Sequence, residues 1–442
     1  MARGKKKEEL TLEEKLEQAL VPVEEQPYEV PKNWCWCKLS SICEYIKAGG
    51  DKPKKFSEEK TDVYNVPVIA NGITNEGIIG YTDIAKESIN TITISGRGTI
   101  GYSVIREYEY VPIVRLIVIK PNWCIIPKYL KYVFDYFIEE GIGSSIPQLT
   151  VPMLKNKAIP LPPSADQQRM VEQIESLFAK LDEAKEKVQS VRNCIDDNFV
   201  SAVHEALVGN LTERWRENNG ISRSGWKKDK LGNLGNLERG RSKHRPRNDP
   251  RLFGGPYPFI QTGDVAEADV YIEKHKQTLS EFGLAQSRMF PKGTLCITIA
   301  ANIGDVAILS YDCCFPDSVV GFTPYKDVES KYIYYMMSEL QKEIEANAPA
   351  TAQKNINLKI LNDIDITIPS VIEQKEIIAI LDDLYDKKKQ VKEKTEKIID
   401  AIDLMKKSIL AKAFRGELGT NNLEEESSVS LLKQILEQGD IK

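Results

Sequence analysis

Two basic loops hold the side chains best suited to chemistry with an anionic polymer. Residues 226–251 carry nine Lys/Arg against three Asp/Glu, with Arg239, Arg241, Lys243, Arg245 and Arg247 in a stretch broken by Gly and Pro. Residues 46–60 carry Lys47, Lys52, Lys54, Lys55 and Lys60. A guanidinium forks onto a phosphate or onto the O6/N7 edge of guanine, whereas an ammonium acts as a point charge on phosphate. The whole chain has a formal net charge of −5, so this positive charge is local, as a nucleic-acid footprint requires. The competing reading is a solvated loop with no ligand. It loses ground because the loops fall at matching places in a duplicated chain.

Three other patterns suggest different chemistry. Gly96, Gly98 and Gly101 in TITISGRGTIGYSVI (91–105) spell the spacing of a dinucleotide-binding turn. The chain that follows, YSVIREYEY, reads as a strand, where a nucleotide site needs a helix N-terminus. The stretch is therefore read as strand, tight turn and strand, with Arg97 and Thr99 facing a ligand or serving the turn. Asp317, Glu329 and Lys331 have the residue types of a metal-dependent nuclease, but at loose spacing. Cys35-x-Cys37 lacks the second pair a zinc site needs, so the eight cysteines are read as free thiols. No P-loop, no Asn-Pro-Pro-Tyr or Asp-Pro-Pro-Tyr of an amino-methyltransferase and no nucleophile motif is present, and no metal site is expected.

The elements that position the loops occur twice. Trp34…Lys38-Leu39 recurs as Trp226…Lys230-Leu231, and VPVIANG (66–72) as YPFIQTG (257–263), which pairs Asn71 with Thr262 beside Gln261. TISGRGTIGYSVI (93–105) aligns with CITIAANIGDVAI (296–308), where Asn302 precedes the matching glycine. KYLKY (128–132) recurs as the helical KYIYY (331–335), IPLPPSADQQ (159–168) as ITIPSVIEQK (366–375), and ALVGNL (206–211) as AFRGEL (413–418). Six matches in one order make a tandem duplication. Each copy opens with short β-branched runs broken by Gly, Pro and Asn, including IVRLIVIK (113–120), as in a mixed α/β domain.

Each copy ends in a long helix. Ser164 with Gln167, and Ser370 with Glu373, are read as capping boxes after helix-forbidding prolines. An apolar seam follows through Met170, Ile174, Leu177, Leu181, Ala184, Val188, Val191 and Ile195. The second runs through Ile377, Leu381, Leu384, Lys388, Val391, Thr395, Ile398, Ile402, Met405 and Ile409, 207 residues later. Such heptads predict an antiparallel coiled coil of the two helices, with Ile174, Leu177, Leu181, Val188, Val191, Ile195, Leu381, Leu384, Val391, Ile398 and Ile402 at the contact. At 1.5 Å per residue each helix would run ~65–70 Å. The fold class is thus α+β: two similar mixed α/β globular domains in tandem, each followed by a long helix. The boundaries read as an N-terminal helical extension 1–30, domains at 31–163 and 213–369, helices at 164–212 and 370–418, and a tail at 419–442. EELTLEEKLEQAL (8–20) and SVSLLKQILEQ (428–438) read as short amphipathic helices contacting partner subunits or as frayed tails.

This layout resembles the specificity subunit of type I restriction–modification enzymes. The resemblance covers about 34–418 and rests on the duplication, the SGRGTIG and ANIGDVAI turns, the PLPP-x-x-x-Q and TIP-x-x-x-Q helix starts, and the ALVGNLT and AFRGELG exits. It implies two target recognition domains for a bipartite double-stranded DNA site, and helices that fix the gap and dock methylation subunits, two of them. Those subunits would carry S-adenosylmethionine, and restriction subunits would use ATP and Mg. The chain itself would bind no cofactor and catalyse nothing. Candidate DNA-binding residues are Lys52, Lys54, Lys55, Asn71, Arg97, Thr99, Arg239, Arg241, Lys243, Arg245, Arg247, Gln261, Thr262 and Asn302. The runner-up is a stand-alone bipartite DNA-binding regulator. No apolar run of ~18 residues exists, and MARGKKKEEL lacks a signal-peptide core, so a cytoplasmic protein without a membrane partner is expected.

Overall fold

The computed structural model describes residues 10–141, 148–300, 303–346 and 356–438. They fall into two compact units, Met1–Lys187 with Lys397–Lys442, and Val188–Glu396. The strands of the first unit are β1 (Cys35–Lys38), β2 (Cys43–Ala48), β3 (Val66–Ile69), β4 (Ile78–Thr82), β5 (Thr91–Ile94), β6 (Ser103–Arg106), β7 (Val111–Pro112), β8 (Ile117–Pro121) and β9 (Ala158–Leu161). An antiparallel sheet runs in the order β2-β8-β5-β6. A second sheet, β4-β3-β7, pairs β3 with β7 in parallel, and β1 pairs with β9.

Why β5 and β8 read as unbroken β-branched runs is now visible: both faces of their sheet are covered. Alternate residues point opposite ways. Ile92, Ile94, Ile117 and Ile119 pack with Tyr129, Leu130, Val133 and Phe134 of the helix Pro127–Gly141, which contains KYLKY. Val118 points to the other face, with Ile69, Tyr110 and Leu116.

The second unit repeats this. Its strands are β10 (Lys227–Lys230), β11 (Gly235–Arg239), β12 (Phe253–Phe259), β13 (Tyr271–Ile272), β14 (Gln277–Leu279), β15 (Met289–Phe290), β16 (Leu295–Thr298), β17 (Val306–Leu309), β18 (Cys313–Cys314), β19 (Val319–Pro324) and β20 (Asp365–Ile368). The orders β11-β19-β16-β17-β13, β14-β12-β18-β15 and β10-β20 match those of the first unit, with one strand added to each larger sheet. Leu295 and Ile297 face Tyr332, Ile333 and Met337 of the helix Ser330–Ala346, while Cys296 faces Ile260, Phe290 and Phe315.

The long helices are Ser164–Leu207 and Val371–Phe414. Their N-terminal ends differ from the expected capping boxes. Ser164 Oγ donates to the Cys124 carbonyl (3.4 Å), and the buried Gln167 amide accepts from Ile126 N (3.1 Å) and donates to Pro162 O (3.1 Å). Gln374 repeats the arrangement, accepting from Glu329 N (2.9 Å) and donating to Pro369 O (2.9 Å) and Asp327 O (3.1 Å). A buried amide must satisfy both ends, so it ties the helix to the preceding loop instead of reaching back to an exposed cap. Half of the second box survives, with Ser370 Oγ accepting from Glu373 N (3.4 Å).

Within each unit the two helices pack antiparallel. In the first, Lys406 meets Asp182 (2.5 Å) and Lys185 meets Asp403 (2.8 Å). In the second, Lys388 meets Asp196 (2.9 Å) and Arg192 meets Glu396 (3.4 Å). Ile174, Leu381 and Ile402 are buried, and Leu177, Leu181, Val188, Ile195, Leu384 and Val391 are half-buried. Val191 and Ile398 depart from the heptad reading: they are 50% and 45% exposed, and Met405 is 53% exposed. From Ile377 the covered positions continue through Thr395, Ile399, Ile402, Lys406, Leu410 and Ala413, which averages 3.6 residues per turn. A strict 3.5 count drifts off these positions by the fourth heptad. Both helices end in the same cap, with Gly209 at φ 84° and Gly416 at φ 74°, and with Asn210 N→Glu205 O and Glu417 N→Lys412 O closing the last turn.

The chain ends belong to the first unit. Leu12–Ala19 starts at a complete Thr11–Glu14 capping box and packs against Ser428–Gln438, and Ala19, Leu432 and Ile435 enter that unit's core. They are core elements and not frayed tails.

Candidate nucleic-acid interface

At one end of the first unit, three segments singled out in the sequence converge on a turn between β7 and β8. Gly49 N donates to Leu116 O (2.7 Å), Gly50 N to Pro112 O (3.1 Å), and Val114 N to Gly50 O (2.9 Å), so the basic loop departs from this turn. Asn71 spans the rest: its Nδ2 donates to Val114 O (2.7 Å) and its Oδ1 accepts from Gly96 N (2.9 Å). Gly96 has no room for a side chain, because a Cβ would lie 2.9 Å from Leu149 O. Gly98 and Gly101 take φ of 70° and 89° in the turn between β5 and β6, so the glycines serve a strand–turn–strand. The IVRLIVIK run is broken here: Val114 and Arg115 adopt positive φ (51° and 62°), and the strand begins only at Ile117.

The second unit builds the same frame from different side chains. Gly240 N donates to Val319 O (2.9 Å), Arg241 N to Phe315 O (3.0 Å) and Val319 N to Pro316 O (3.1 Å). Asp317 and Ser318 therefore stand where Val114 and Arg115 stand in the first unit. Arg247 forks onto the Asp317 carboxylate (3.0 and 3.1 Å), and Arg239 Nε donates to the Asp317 carbonyl (3.1 Å). The basic loop is pinned at Asp249, which His244 Nε2 (2.8 Å) and Arg251 (2.7 Å) approach together. The Arg251 side chain, then its backbone N–H, then His244 hold the Asp249 carboxyl well below the usual carboxylate range. Between loop and sheet lies a cleft of about 490 Å³ whose lining includes Arg241, His244, Phe253, Gln261, Gln277 and Ser318.

The candidate residues separate by what holds them. Lys55 is ion-paired with Asp83 (2.5 Å), Lys52 lies 3.3 Å from the Phe56 ring centroid, and Arg97 donates through Nε and Nη2 to Gln148 Oε1 (3.2 and 2.9 Å). Arg245 folds back onto Ser242 O and His244 O (2.7 and 2.8 Å). Gln261 bonds Gln277 (2.8 Å) and caps the short helix that Thr262 opens. Asn71 spends both ends of its amide on backbone. Lys54, Thr99 and Lys243 are exposed, Arg241 is half-buried, and Lys54, Arg241 and Lys243 have no side-chain partner among the described residues. Asn302 lies outside the described residues.

The nuclease-like trio is dispersed among other partners, since Arg247 takes Asp317, Glu329 is 3.6 Å from Lys375, and Lys331 is 2.7 Å from Asp382. Among the described residues no group of three or more His, Cys, Asp or Glu is placed to hold a metal ion. Cys35 and Cys37 are buried on β1, and burial pushes the Cys35 thiol up to about 12, the protonated and unreactive form at neutral pH. No helix among the described residues is long and apolar enough to cross a membrane. The residues missed were Val114, Arg115 and Gln148. Nothing in a β-branched run announces positive φ.

The family model "Type I restriction modification DNA specificity domain" matches residues 31–191 and 223–399. A putative type I specificity subunit of Mycoplasma pneumoniae is 31% identical over 34% of this chain and 45% of its own. The EcoKI specificity subunit of Escherichia coli is 23% identical over 88% of this chain and 90% of its own. The chain thus spans about half the length of some curated relatives it matches, and most of others. A solved chain from work on complex assembly and conformational transition of the type I R-M system superposes with a TM-score of 0.69 at 20% identity, covering 89% of this chain and all of that one, which establishes the shared fold. With both halves of the duplication matched by the family model, this chain belongs to the type I restriction modification DNA specificity family.

Proposed function

We propose that each unit reads one block of a bipartite double-stranded DNA target, and that the paired helices set the gap and dock two methylation subunits. The observation that carries this reading is the repeated frame. The same backbone hydrogen bonds hold a turn and a basic loop in both units, yet the side chains on the turn differ, Val114-Arg115 against Asp317-Ser318. A constant scaffold with variable tips is the form needed to read two unlike sequences. Phosphate contacts from Lys54, Lys243 and Arg241 supply salt-dependent affinity, and base contacts the sequence. Two-fold-related readers dock about one helical turn of DNA apart, ~34 Å, or multiples of it. The chain acts in the cytoplasm without a cofactor or a reaction of its own. S-adenosylmethionine chemistry belongs to the methylation subunits, and ATP and Mg to the restriction subunits.

Mapping methylated bases in the host genome with and without the gene tests this. The expected result is loss of methylation at a split motif of two short blocks around an unspecified gap. An unchanged methylome, together with failure to co-purify a methylation subunit, favours a stand-alone regulator. Arg241→Ala is expected to lower affinity and reduce the salt slope by about 1 if it meets a phosphate.

A further inference from the structure

Val114 carries an unexplained cost. It is a β-branched residue at φ 51°, followed by Arg115 at φ 62°, and such a conformation is an outlier for a residue of its shape. Strain of this kind persists only where the surroundings over-determine it, and it gathers at functional sites. The surroundings do so here, through Asn71, Gly50 and the Leu116 N→Ile113 O bond (3.1 Å). Burial does not repay the strain: the residue is 56% exposed and joins none of the hydrophobic clusters, although its neighbour Ile113 does. The fold therefore presents an isopropyl group outward on a constrained turn.

The surroundings indicate what that group meets. Arg115 is exposed and, like Lys54 on the adjoining loop, has no side-chain partner among the described residues. Arg97 is held nearby on the Gly96 turn, where a Cβ added to the glycine would come 3.4 Å from Arg115 O. An apolar tip flanked by cations fits an apolar group flanked by anions. In duplex DNA that group is the C5-methyl of thymine, lying in the major groove between phosphate rails. The equivalent tip in the second unit carries the Asp317 carboxylate clasped by Arg247, so it has no apolar group to offer.

We propose, resting on the DNA-reading function above, that Val114 reads a thymine methyl in one block of the target, with Arg115 and Lys54 on the adjacent phosphates. The test uses the assembly purified through the full chain and the split motif found by methylome mapping, with uracil replacing thymine at one position at a time. Uracil at one position of one block is expected to weaken binding about fourfold, the loss for returning one methyl group to water. In Val114→Gly, thymine and uracil at that position should bind equally, while the melting temperature does not fall, because glycine takes this φ without strain. Equal binding of thymine and uracil at every position by the unaltered chain overturns the inference, as does a preference that survives Val114→Gly. Silence to uracil combined with weaker co-purification of a partner subunit would make the turn a protein contact instead. An assembly that fails to bind the mapped motif at all overturns the specificity reading itself, and this inference with it.

Discussion

The N-terminal ends of the two long helices solve one problem with different completeness. In the second unit Glu373 is fully buried and saturated: one oxygen accepts from Arg216 (2.7 Å) and Thr212 (2.8 Å), the other from Trp226 Nε1 (2.8 Å). In the first unit Asp166 stands at the same place and accepts from Trp34 Nε1 (3.0 Å), but its other oxygen is 3.6 Å from Arg169. Arg169 is drawn away by a fork onto Glu425 (2.7 and 2.9 Å) and by Thr420 O (2.8 Å). Shortening Glu to Asp leaves the tryptophan bond intact and the ion pair longer, at 3.6 Å against 2.7 Å. The recurring hydrogen bond is thus tryptophan to carboxylate, and only one copy adds an arginine at hydrogen-bond distance.

The largest expected effect sharpens this contrast. Glu373→Ala strands the buried Arg216 charge and is expected to cost about 3–5 kcal/mol in urea unfolding. A loss under about 1 kcal/mol would mean that water reaches Arg216 and that the two helix starts are equivalent. Next comes the turn frame. Asn71→Ala leaves Gly96 N–H and Val114 C=O without partners, an expected loss of about 1–3 kcal/mol. Thr262→Ala, at the matching place, should stay within about 0.5 kcal/mol.

Asp166→Asn should be close to neutral at pH 7. Burial raises the Asp166 carboxyl above its ordinary value, so the folded state favours its neutral form. That contribution is fully present below the unfolded carboxylate pKa and is lost as pH rises through the folded one. The asparagine variant should flatten this part of the stability–pH curve. A large loss at pH 7 would show that the ionised form is held by a partner.

The smallest effect separates the units by pH. His204 bonds Glu339 in the second unit, and this hydrogen bond raises the imidazole from its ordinary value. Its contribution is present below about pH 6.5 and lost as pH rises through the folded value. His204→Gln should remove a slight fall in melting temperature between about pH 6 and 8.5. The first unit has Ala411 and Tyr136 at the matching places, with Tyr136 against Phe414, so it should show no such step.

What was legible in the sequence followed from repetition. Helix ends were marked by proline and by a glycine with positive φ, signals that act locally, and both recurred at the same offset. The seam was legible where residues were apolar, and at Lys388, and drifted where the contact uses Arg192 and Lys406, whose charges pair with Glu396 and Asp182 on the facing helix. The capping boxes misled because Gln167 is a buried amide and Glu373 a buried carboxylate taken by Arg216, Thr212 and Trp226, and such burial depends on segments far away in the chain. At the candidate interface, charge showed where the loops were but not which charges were already engaged: Lys55 and Arg247 look like Lys54 and Arg241 until their acidic partners are seen.

The division of the chain into a contiguous unit, Val188–Glu396, and one assembled from both ends also orders events in time. During synthesis the second unit has all its residues once position 396 has left the ribosome. The first, begun earlier, must wait for the last turns of the second long helix and for Leu432 and Ile435 before its core can close. The half made first is finished last, and a chain released early would carry a complete second unit and an open first one.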